Sequence, residues 1–180
     1  MPVTIRYADE DEVEELTAIE IDADKRYANS LHPEIANGHH IPSEALARAV
    51  VARQVVVAVE DDAILGWLLL TKAGDEICIG QISVRRSAGG RGVGTKLLST
   101  IVDSVRRAGH QSIVLNTQAD VAWNRPWYDR HGFVVVPPEE WTADMHVIAE
   151  EQCADGLDWN TRVHMRLQLD EAPRSSGDLA

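Results

Sequence analysis

The chain is poor in cysteine, in long apolar runs and in positive charge, and each shortage excludes a class of protein. Cys78 and Cys153 are the only cysteines. Because Cys78 falls in a predicted core strand and Cys153 in a late helix, two reduced thiols are favoured over a disulfide. No apolar run approaches the ~20 residues of a membrane-spanning helix, and no charged-then-apolar leader begins the chain. We therefore expect a cytoplasmic protein without a membrane partner.

Acidic residues outnumber basic ones, and the formal net charge is −12 at pH 7. A partner with a phosphate backbone needs a basic face, so the charge argues against nucleic acid as a partner. The acidity suits a cationic small-molecule substrate, although a requirement for solubility explains it equally well. Composition alone does not choose between these two explanations.

The pattern of strands and helices indicates a single domain. At 180 residues, of which 44% are apolar, the chain can bury one proper core. We assign residues 1–170 to this domain and residues 171–180 to a polar C-terminal tail. Strands are predicted at residues 3–7, 54–60, 63–71, 76–84, 112–117, 134–136 and 160–169. Helices are predicted from Asp9 or Asp11 and at residues 42–53 and 142–154, with a mobile connection over residues 22–41.

A glycine-dense turn separates a β-branched strand, which ends near Val84, from an amphipathic helix. The turn runs from Gly89 to Gly94, and Gly109 stands where the C-terminal cap of the helix belongs. Between them apolar residues recur at helical spacing, at Leu97, Leu98, Ile101, Val102 and Val105. A strand, a glycine-rich turn and a helix in this order direct unpaired backbone N–H groups and the positive end of the helix dipole at a phosphate. The pattern indicates a phosphorylated cofactor.

Two common phosphate-binding motifs fit the turn poorly. A dinucleotide fingerprint requires G-x-G-x-x-G, and the glycines at 90, 92 and 94 lack a third glycine at the right step. A P-loop has the spacing of Gly89 and Gly94, but its lysine precedes its hydroxyl residue, whereas here Thr95 precedes Lys96. A glycine-rich turn without a ligand is a further alternative.

Two motifs together resemble the GNAT superfamily of acetyl-CoA-dependent N-acetyltransferases. The turn resembles the pyrophosphate loop of that family, Gln/Arg-x-x-Gly-x-Gly/Ala, except that Gly89 stands where the family usually has Gln or Arg. Further along, Tyr128 precedes Gly132 and Phe133 in the family's Tyr-x-x-x-Gly-Phe pattern. The stretch 123–128 and the late strand at 162–167 resemble one bacterial subgroup of small GNAT enzymes. The two motifs cover residues 79–136, and the flanking pattern extends the resemblance over nearly the whole chain.

The resemblance implies a fold and a co-substrate. The fold is α/β, with a mixed, mostly antiparallel sheet of about seven strands, a splayed central pair and helices on both faces. The co-substrate is acetyl-CoA, whose pantetheine arm pairs with the backbone of Ile82, Ser83 and Val84. Its pyrophosphate is held by the turn, with Arg91 or Lys96 adding charge. The turn residues assigned to it are Gly89, Gly90, Arg91, Gly92, Val93, Gly94 and Thr95.

The resemblance also implies direct attack of an amine on the thioester, which needs a neutral amine, an oxyanion donor and an acid for the leaving thiolate. We assign the acid to Tyr128, since a phenol keeps its proton at useful pH; the alternative is that Tyr128 only packs in the core. Asn124 binds the cofactor or caps the helix.

The predicted acceptor is a small cationic amine such as a polyamine, amino acid or antibiotic. Acetylation of a protein lysine or N-terminus, and a non-catalytic acyl-CoA-binding module, are the alternatives; a homodimer is possible.

The general base is left unassigned. Counting back from Val84 along one face of the central strand reaches Glu76 through residues without a suitable side chain. Glu20, Asp22 and Asp120 lie on predicted substrate-side segments, but each is expected to be an ordinary solvated charge.

Three tryptophans are predicted either to form a cationic cage or to pack in the core, at positions 67, 123 and 127. His39 and His40 lack a third ligand at metal-binding spacing, so no metal is expected. His131 is interpreted as a helix C-terminal cation.

Overall fold

The computed structural model describes residues 2–38 and 40–169, so His39 and the predicted tail at 171–180 lie outside the described residues. Seven strands form one sheet in the order β1-β2-β3-β4-β5-β7-β6. Only the β4–β5 pair of this sheet is parallel, and the other neighbours are antiparallel. The strands are β1 Thr4–Tyr7, β2 Val55–Glu60, β3 Ala63–Ala73, β4 Glu76–Val84, β5 Ser112–Gln118, β6 Val134–Val135 and β7 Arg162–Gln168.

Helices cover both faces of the sheet, as the fold expectation requires. They are α1 Val13–Asp24, α2 Ser43–Val51, α3 Val93–Arg107, α4 Arg125–Asp129 and α5 Ala143–Ala154. Buried side chains of α3 and α4 pack in one cluster with β2, β3, β4 and β5. Those of α1 and α2 pack on the opposite face, and α5 packs there against β4 and β5. The mixed sheet with helices on both faces is therefore confirmed.

The amphipathic pattern of the long central helix is realised in α3. Leu97, Leu98 and Ile101 are at most 4% exposed, and burial of each such side chain stabilises the fold by about 1.5–3 kcal/mol. Gly109 follows the helix at φ +85°, where its N–H donates to the carbonyl of Arg106. That left-handed conformation is open to glycine at little cost, so the predicted cap is confirmed.

A bulge and a short pairing split the centre of the sheet. Leu69 and Leu70 of β3 face Gln81 and Ile79 of β4, which leaves Gly80 as an extra residue. On its other edge β4 pairs with β5 only over residues 77–79 and 113–115. Beyond those three pairs, residues 80–84 and 116–118 of the two strands line the two sides of a cleft. The splayed central pair is therefore confirmed.

Because of the bulge at Gly80, the prediction that Glu76 lies on the same face of β4 as Val84 is wrong. Strict alternation would place Glu76 and Cys78 on the same face as Ile82 and Val84. Instead, Ile82 and Val84 pack in the α3 cluster, while Cys78 packs in the cluster under α5. One inserted residue reverses the face of everything beyond it, so the counting that led to Glu76 does not apply.

The connection over residues 22–41 is more structured than its composition predicts. The first helix continues to Asp24, and short 3₁₀ turns follow at Lys25–Asn29 and Pro33–Asn37. The His32 ring lies 2.7 Å from the carboxylate of Asp120, in the loop after β5. Contacts between residues distant in sequence thus shape this segment, and local composition does not reveal them. Other element bounds differ from the predicted ones by one to a few residues.

Candidate active site

The cleft between the splayed strands has a volume of about 960 Å³. Its floor is formed by residues 80–84 of β4 and 116–118 of β5. One side, which we call the glycine wall, consists of the turn at 88–95. Trp127 and Tyr128 of α4 also line the cleft. The other side, which we call the ionisable wall, consists of Glu20, Asp24, Arg26, Tyr27, His40 and Arg162. The two walls differ in chemistry throughout.

The glycine wall presents backbone rather than side chains. Gly90 and Gly92 have φ of +74° and +80°, and a Cβ at either would meet nothing within 4 Å, so their conformation, not crowding, requires glycine. The first helical bond of α3 runs from the Lys96 N–H to the Gly92 carbonyl. The N–H groups of residues 93–95 precede it, and in the described part of the chain no side chain caps them. This geometry suits an anion at the helix N-terminus.

The side-chain charge expected in the turn lies elsewhere. Arg91 donates from Nη2 to Glu60 Oε2 at 2.6 Å, and it does not line the cleft. Lys96 is not among the lining residues either. The prediction that either side chain adds charge there is wrong for this structure. Gly89, Gly90, Gly92, Val93, Gly94 and Thr95 all line the cleft.

The floor carries the predicted strand residues. Ile82, Ser83 and Val84 line the cleft, and within the described chain no strand pairs with them on the β5 side. Ser83 is 2% exposed, and its Oγ accepts a hydrogen bond from Gln81 Nε2 at 3.1 Å. The open backbone edge can therefore accept an extended ligand as an additional strand.

Tyr128 is both packed and accessible to the cleft. Its ring makes edge contacts with Trp127 and Phe133, at centroid distances of 4.8 and 5.5 Å. Burial raises the pKa of its hydroxyl well above the ordinary value. Among the described residues nothing hydrogen-bonds to that hydroxyl, so it is free to donate to a ligand. The two predicted roles are compatible, because packing fixes the ring and the cleft receives the oxygen.

Asn124 does not cap α4 with its side chain. Its carbonyl accepts the N–H groups of Trp127 and Tyr128, while its Nδ2 donates to the hydroxyl of Tyr27 at 2.6 Å. Both Asn124 and Tyr27 line the cleft. The Asn124 side chain therefore joins the two walls across the cleft.

Glu20 differs most from its expected role. It is 3% exposed, so the expectation of a solvated charge is wrong. Its Oε1 accepts hydrogen bonds from the Ile41 N–H (3.3 Å) and from Gln81 Nε2 (3.2 Å), while its buried Oε2 has no partner in the described residues. Burial raises the pKa of Glu20 to about 7. The sequence held a signal for this, because Glu20 continues the apolar stripe of Val13 and Leu16 at helical spacing.

The other acids considered as bases are already engaged. Asp22 accepts the Arg86 backbone N–H, which lowers the Asp22 pKa most, and also its Nε. Asp120 pairs with His32. Burial alone would raise the pKa of Glu76, but hydrogen bonds from Arg166 and Ser112 outweigh it and lower the pKa. Of the four acids that sequence reasoning considered, only Glu20 lines the cleft.

The three tryptophans do not form a cage. Trp67 is fully buried on the α1 face, where its Nε1 donates to the Leu16 carbonyl at 2.8 Å. Trp123 lines the cleft, but the guanidinium of Arg26 already lies 4.7 Å from its ring centroid. Trp127 packs on Tyr128 and His131. The predicted cationic cage is therefore wrong, and Trp67 belongs to the core.

No group of three or more His, Cys, Asp or Glu side chains in the described part of the chain is placed to hold a metal ion. Within the same residues no helix is both long and apolar enough to cross a membrane. Cys78 is buried and Cys153 exposed, and both are free thiols.

Comparison with known proteins supplies a family for this arrangement. The profile described as "Acetyltransferase (GNAT) family" matches residues 8–133, which is more than half of the chain. That range includes the glycine turn, both splayed strands and Tyr128.

Solved structures share the fold at low identity. The chain resembles a PaiA N-acetyltransferase from Thermoplasma acidophilum, in complex with coenzyme A, at 14% identity and a TM-score of 0.70; 94% of this chain and 100% of that one are covered. YncA of Salmonella typhimurium, a putative acetyltransferase with its cofactor acetyl-CoA, matches at 23% identity and a TM-score of 0.66. The match covers 97% of this chain and 99% of that one. The ribosomal-protein-S18-alanine N-acetyltransferase of Escherichia coli matches at 14% identity and a TM-score of 0.66. The match covers 98% of this chain and 100% of that one. At such identities these likenesses establish the fold alone.

Proposed function

Because the chain belongs to the acetyltransferase (GNAT) family, we propose that it moves the acetyl group of acetyl-CoA directly to the primary amine of a small substrate. The observation that carries this proposal is the cleft itself. A glycine turn with uncapped N–H groups, an open strand edge, a protonated phenol and a buried carboxylate all border one space.

The glycine wall and the floor fit coenzyme A. The N–H groups at the start of α3 are placed for the pyrophosphate, which they would hold without help from Arg91. The unpaired edge of residues 82–84 fits the amide-bearing pantetheine arm, which would lie in the split between β4 and β5. This seating directs the thioester towards the part of the cleft that Tyr128 borders.

Glu20 is the base that we assign. An amine attacks only after losing its proton, and a carboxylate with a pKa of about 7 accepts that proton near neutral pH, directly or through one water. Gln81 and the Ile41 N–H both donate to Oε1 and fix the orientation of the carboxylate. The unpartnered Oε2 is then available to the acceptor.

Tyr128 is the acid that we assign. The amine nitrogen forms its bond to the carbonyl carbon, and a backbone N–H of β4 stabilises the negative oxygen. When the carbon–sulfur bond breaks, the thiolate takes the proton of the Tyr128 hydroxyl, which burial keeps protonated. The acylated nitrogen returns its surplus proton to the Tyr128 oxygen, so the products are an N-acetylated amine and free coenzyme A. The proton that Glu20 took from the ammonium group before the attack then passes to solvent.

A thiol-release assay with acetyl-CoA and a panel of amines tests this function. The panel holds polyamines, amino acids, aminoglycosides and a peptide with a free N-terminus, with product masses read by mass spectrometry. We expect a gain of 42 Da on a small amine and faster thiol release than hydrolysis alone. Acetylation of the peptide only would favour a protein acceptor. Coenzyme A binding without any acetylated amine would favour the non-catalytic module.

A further inference from the structure

Arg162 is a partly buried cation without an anion among the described residues. It begins β7 opposite Gln118, lines the cleft, and donates from Nη2 to the neutral Asn116 Oδ1. Its Nε is buried and has no partner among the described residues. With its oxygen towards the guanidinium, the Gln118 amide accepts from Nη1 at 3.3 Å. Every partner that Arg162 has within the described chain is therefore neutral.

This environment is unusual for a chain so rich in acids. Seven arginines in the described residues pair with carboxylates, at positions 6, 85, 86, 91, 106, 125 and 166. Arg162 has no such ion pair in the described residues, and burial lowers the pKa of its guanidinium. Because a buried charge without a counter-ion is destabilising, Arg162 is suited to receive an anion from outside the chain.

Arg26 adds a second cation to the same wall. Arg26 is exposed and lies over the Trp123 ring, and no carboxylate of the described residues lies within ion-pair distance of it. Tyr27 acts electrostatically on both Arg26 and Arg162, and all three residues line the cleft. The basic part of the ionisable wall thus has two arginines, neither of which forms an ion pair with a described residue.

The acidic part of the wall adjoins this basic part. Glu20 and Asp24 lie one turn apart on α1, and Asp24 acts electrostatically on Glu20 and on Tyr27. Tyr27 also lies within the field of Arg162. Tyr27 therefore interacts electrostatically with the carboxyl group of Asp24 and with the guanidinium groups of Arg26 and Arg162, and all of these residues line one cleft.

We propose that the acceptor is an amino carboxylate, an amino acid or a close analogue, whose amine faces Glu20 and whose carboxylate binds Arg162 with Arg26 beside it. The proposal rests on the acetyl transfer proposed above and narrows its acceptor. A polyamine would bring no anion to Arg162 and would meet two repelling cations. A carboxylate matches the fork of a guanidinium and supplies the acceptor that Nε lacks.

Matched acceptors that differ only at the carboxyl group test the proposal. Each of the common L-amino acids is compared with its carboxamide and with the corresponding decarboxylated amine in the thiol-release assay. A carboxylate raises the pKa of a nearby amine, so intrinsic reactivity favours the carboxamide. We expect at least one amino acid to exceed its carboxamide in kcat/KM by tenfold or more, on the order that a recognised polar group contributes.

Substitutions test whether Arg162 causes the preference for the amino acid over its carboxamide. In Arg162→Gln the ratio of kcat/KM for acid over carboxamide is expected to fall towards one, and Arg162→Lys should keep part of it. The exposed Arg107→Gln serves as the matched control for lost charge, and its ratio should equal that of the wild type. Coenzyme A affinity, measured by calorimetry, should not change in Arg162→Gln.

Three outcomes would overturn the inference alone: carboxamides or polyamines reacting at least as fast as the acids, an unchanged ratio in folded Arg162→Gln, or a loss of coenzyme A affinity in that variant, which would assign Arg162 to a cofactor phosphate. If Arg162→Gln does not fold, the wild-type ratio of kcat/KM for acid over carboxamide decides whether the acceptor is an amino carboxylate. Absence of thiol release with every amine would instead overturn the proposed acetyl transfer, and this inference with it.

Discussion

The two walls of the cleft are built in opposite ways. The glycine wall comes from one continuous stretch around the turn at 88–95 and offers uncharged backbone N–H groups. The ionisable wall is assembled from α1, the turns after it and the start of β7, and it carries carboxyl and guanidinium groups with shifted pKa values. Tyr128 and Asn124 belong to the segment that joins the two.

This difference separates binding from chemistry. A backbone cradle has no ionisable group, so its hold on an anion does not depend on its own protonation state. The ionisable wall is pH-sensitive, because burial raises the pKa of Glu20 to about 7 and that of Asp24 to about 6. We therefore expect substitutions on the glycine wall to change affinity for acetyl-CoA, and substitutions on the ionisable wall to change turnover.

The largest effect is expected for Glu20→Gln. The amide keeps the shape and the acceptor oxygen but cannot take a proton, so kcat should fall by about 10²- to 10³-fold. Acetyl-CoA affinity should stay within twofold, as measured by calorimetry. Asp22→Asn on the same helix is the matched control, because Asp22 is occupied by Arg86 and does not line the cleft. A rate for Glu20→Gln no lower than that of Asp22→Asn would exclude Glu20 as the base.

The same variant reports on folding. Burial raises the pKa of Glu20 in the folded state, so ionisation opposes folding at pH values above the ordinary pKa of 4.5. The glutamine variant should therefore be the more stable protein at pH 8, by about 1–3 kcal/mol, and the advantage should vanish near pH 4, where both states are protonated. A Tm below that of the wild type at pH 8 would show that the rate loss includes unfolding.

Tyr128→Phe is expected to lower kcat by about 10²-fold. Phenylalanine preserves the edge contacts with Trp127 and Phe133 and removes only the hydroxyl. Acetyl-CoA affinity and Tm should change little. Steady-state kinetics, together with a thermal melt, separate this outcome from a purely structural tyrosine, for which kcat would stay within threefold and Tm would fall.

Gly92→Val should weaken coenzyme A binding by about tenfold or more, roughly 1.4 kcal/mol. At φ +80° a β-branched residue is strained, and the turn would move its N–H groups away from the phosphate. Gly109→Val introduces the same strain at φ +85°, after α3 and outside the cleft, and serves as the control. Equal coenzyme A affinity in the two folded variants would remove the turn from the binding site.

The smallest expected effect is on the pH profile of kcat/KM, which should change by about tenfold per pH unit. Only the carboxylate form of Glu20 accepts a proton, so wild-type kcat/KM should decline as the pH falls below about 7. The amine of the acceptor titrates as well, but it does so identically for Glu20→Gln. The ratio of wild type to variant should therefore fall with pH below 7 and level off above it. A flat ratio from pH 5.5 to 8 would contradict the assignment.

Sequence patterns predicted the glycine wall nearly residue by residue. The spacing of the turn, the stripe of α3 and the position of Tyr128 depend on neighbours within a few residues. The turn and Tyr128 line the cleft, and the stripe packs in the core. Arg91 is the exception on this wall. Its side chain is long enough to reach Glu60 on β2, and a local motif cannot predict that partner.

The ionisable wall was predicted poorly for two physical reasons. The bulge at Gly80 shifts the register of β4 by one residue, so Glu76 does not lie on the face of Ile82 and Val84 from which it was counted. In addition, Trp67 is buried under α1, whereas Trp123 is covered by the guanidinium of Arg26, which is distant from it in sequence. Neither a one-residue insertion nor a stacking partner has a local sequence signature.

The sequence by itself therefore determined the strand, turn and helix that present backbone N–H groups, because left-handed glycine and helical periodicity act over a few residues. Only the tertiary structure decided which charges matter. Glu20, Tyr27 and Arg162 come from distant segments, and they acquire their chemistry from being buried together in one cleft. Desolvation depends on everything packed around a group, so it appears only when the chain has folded.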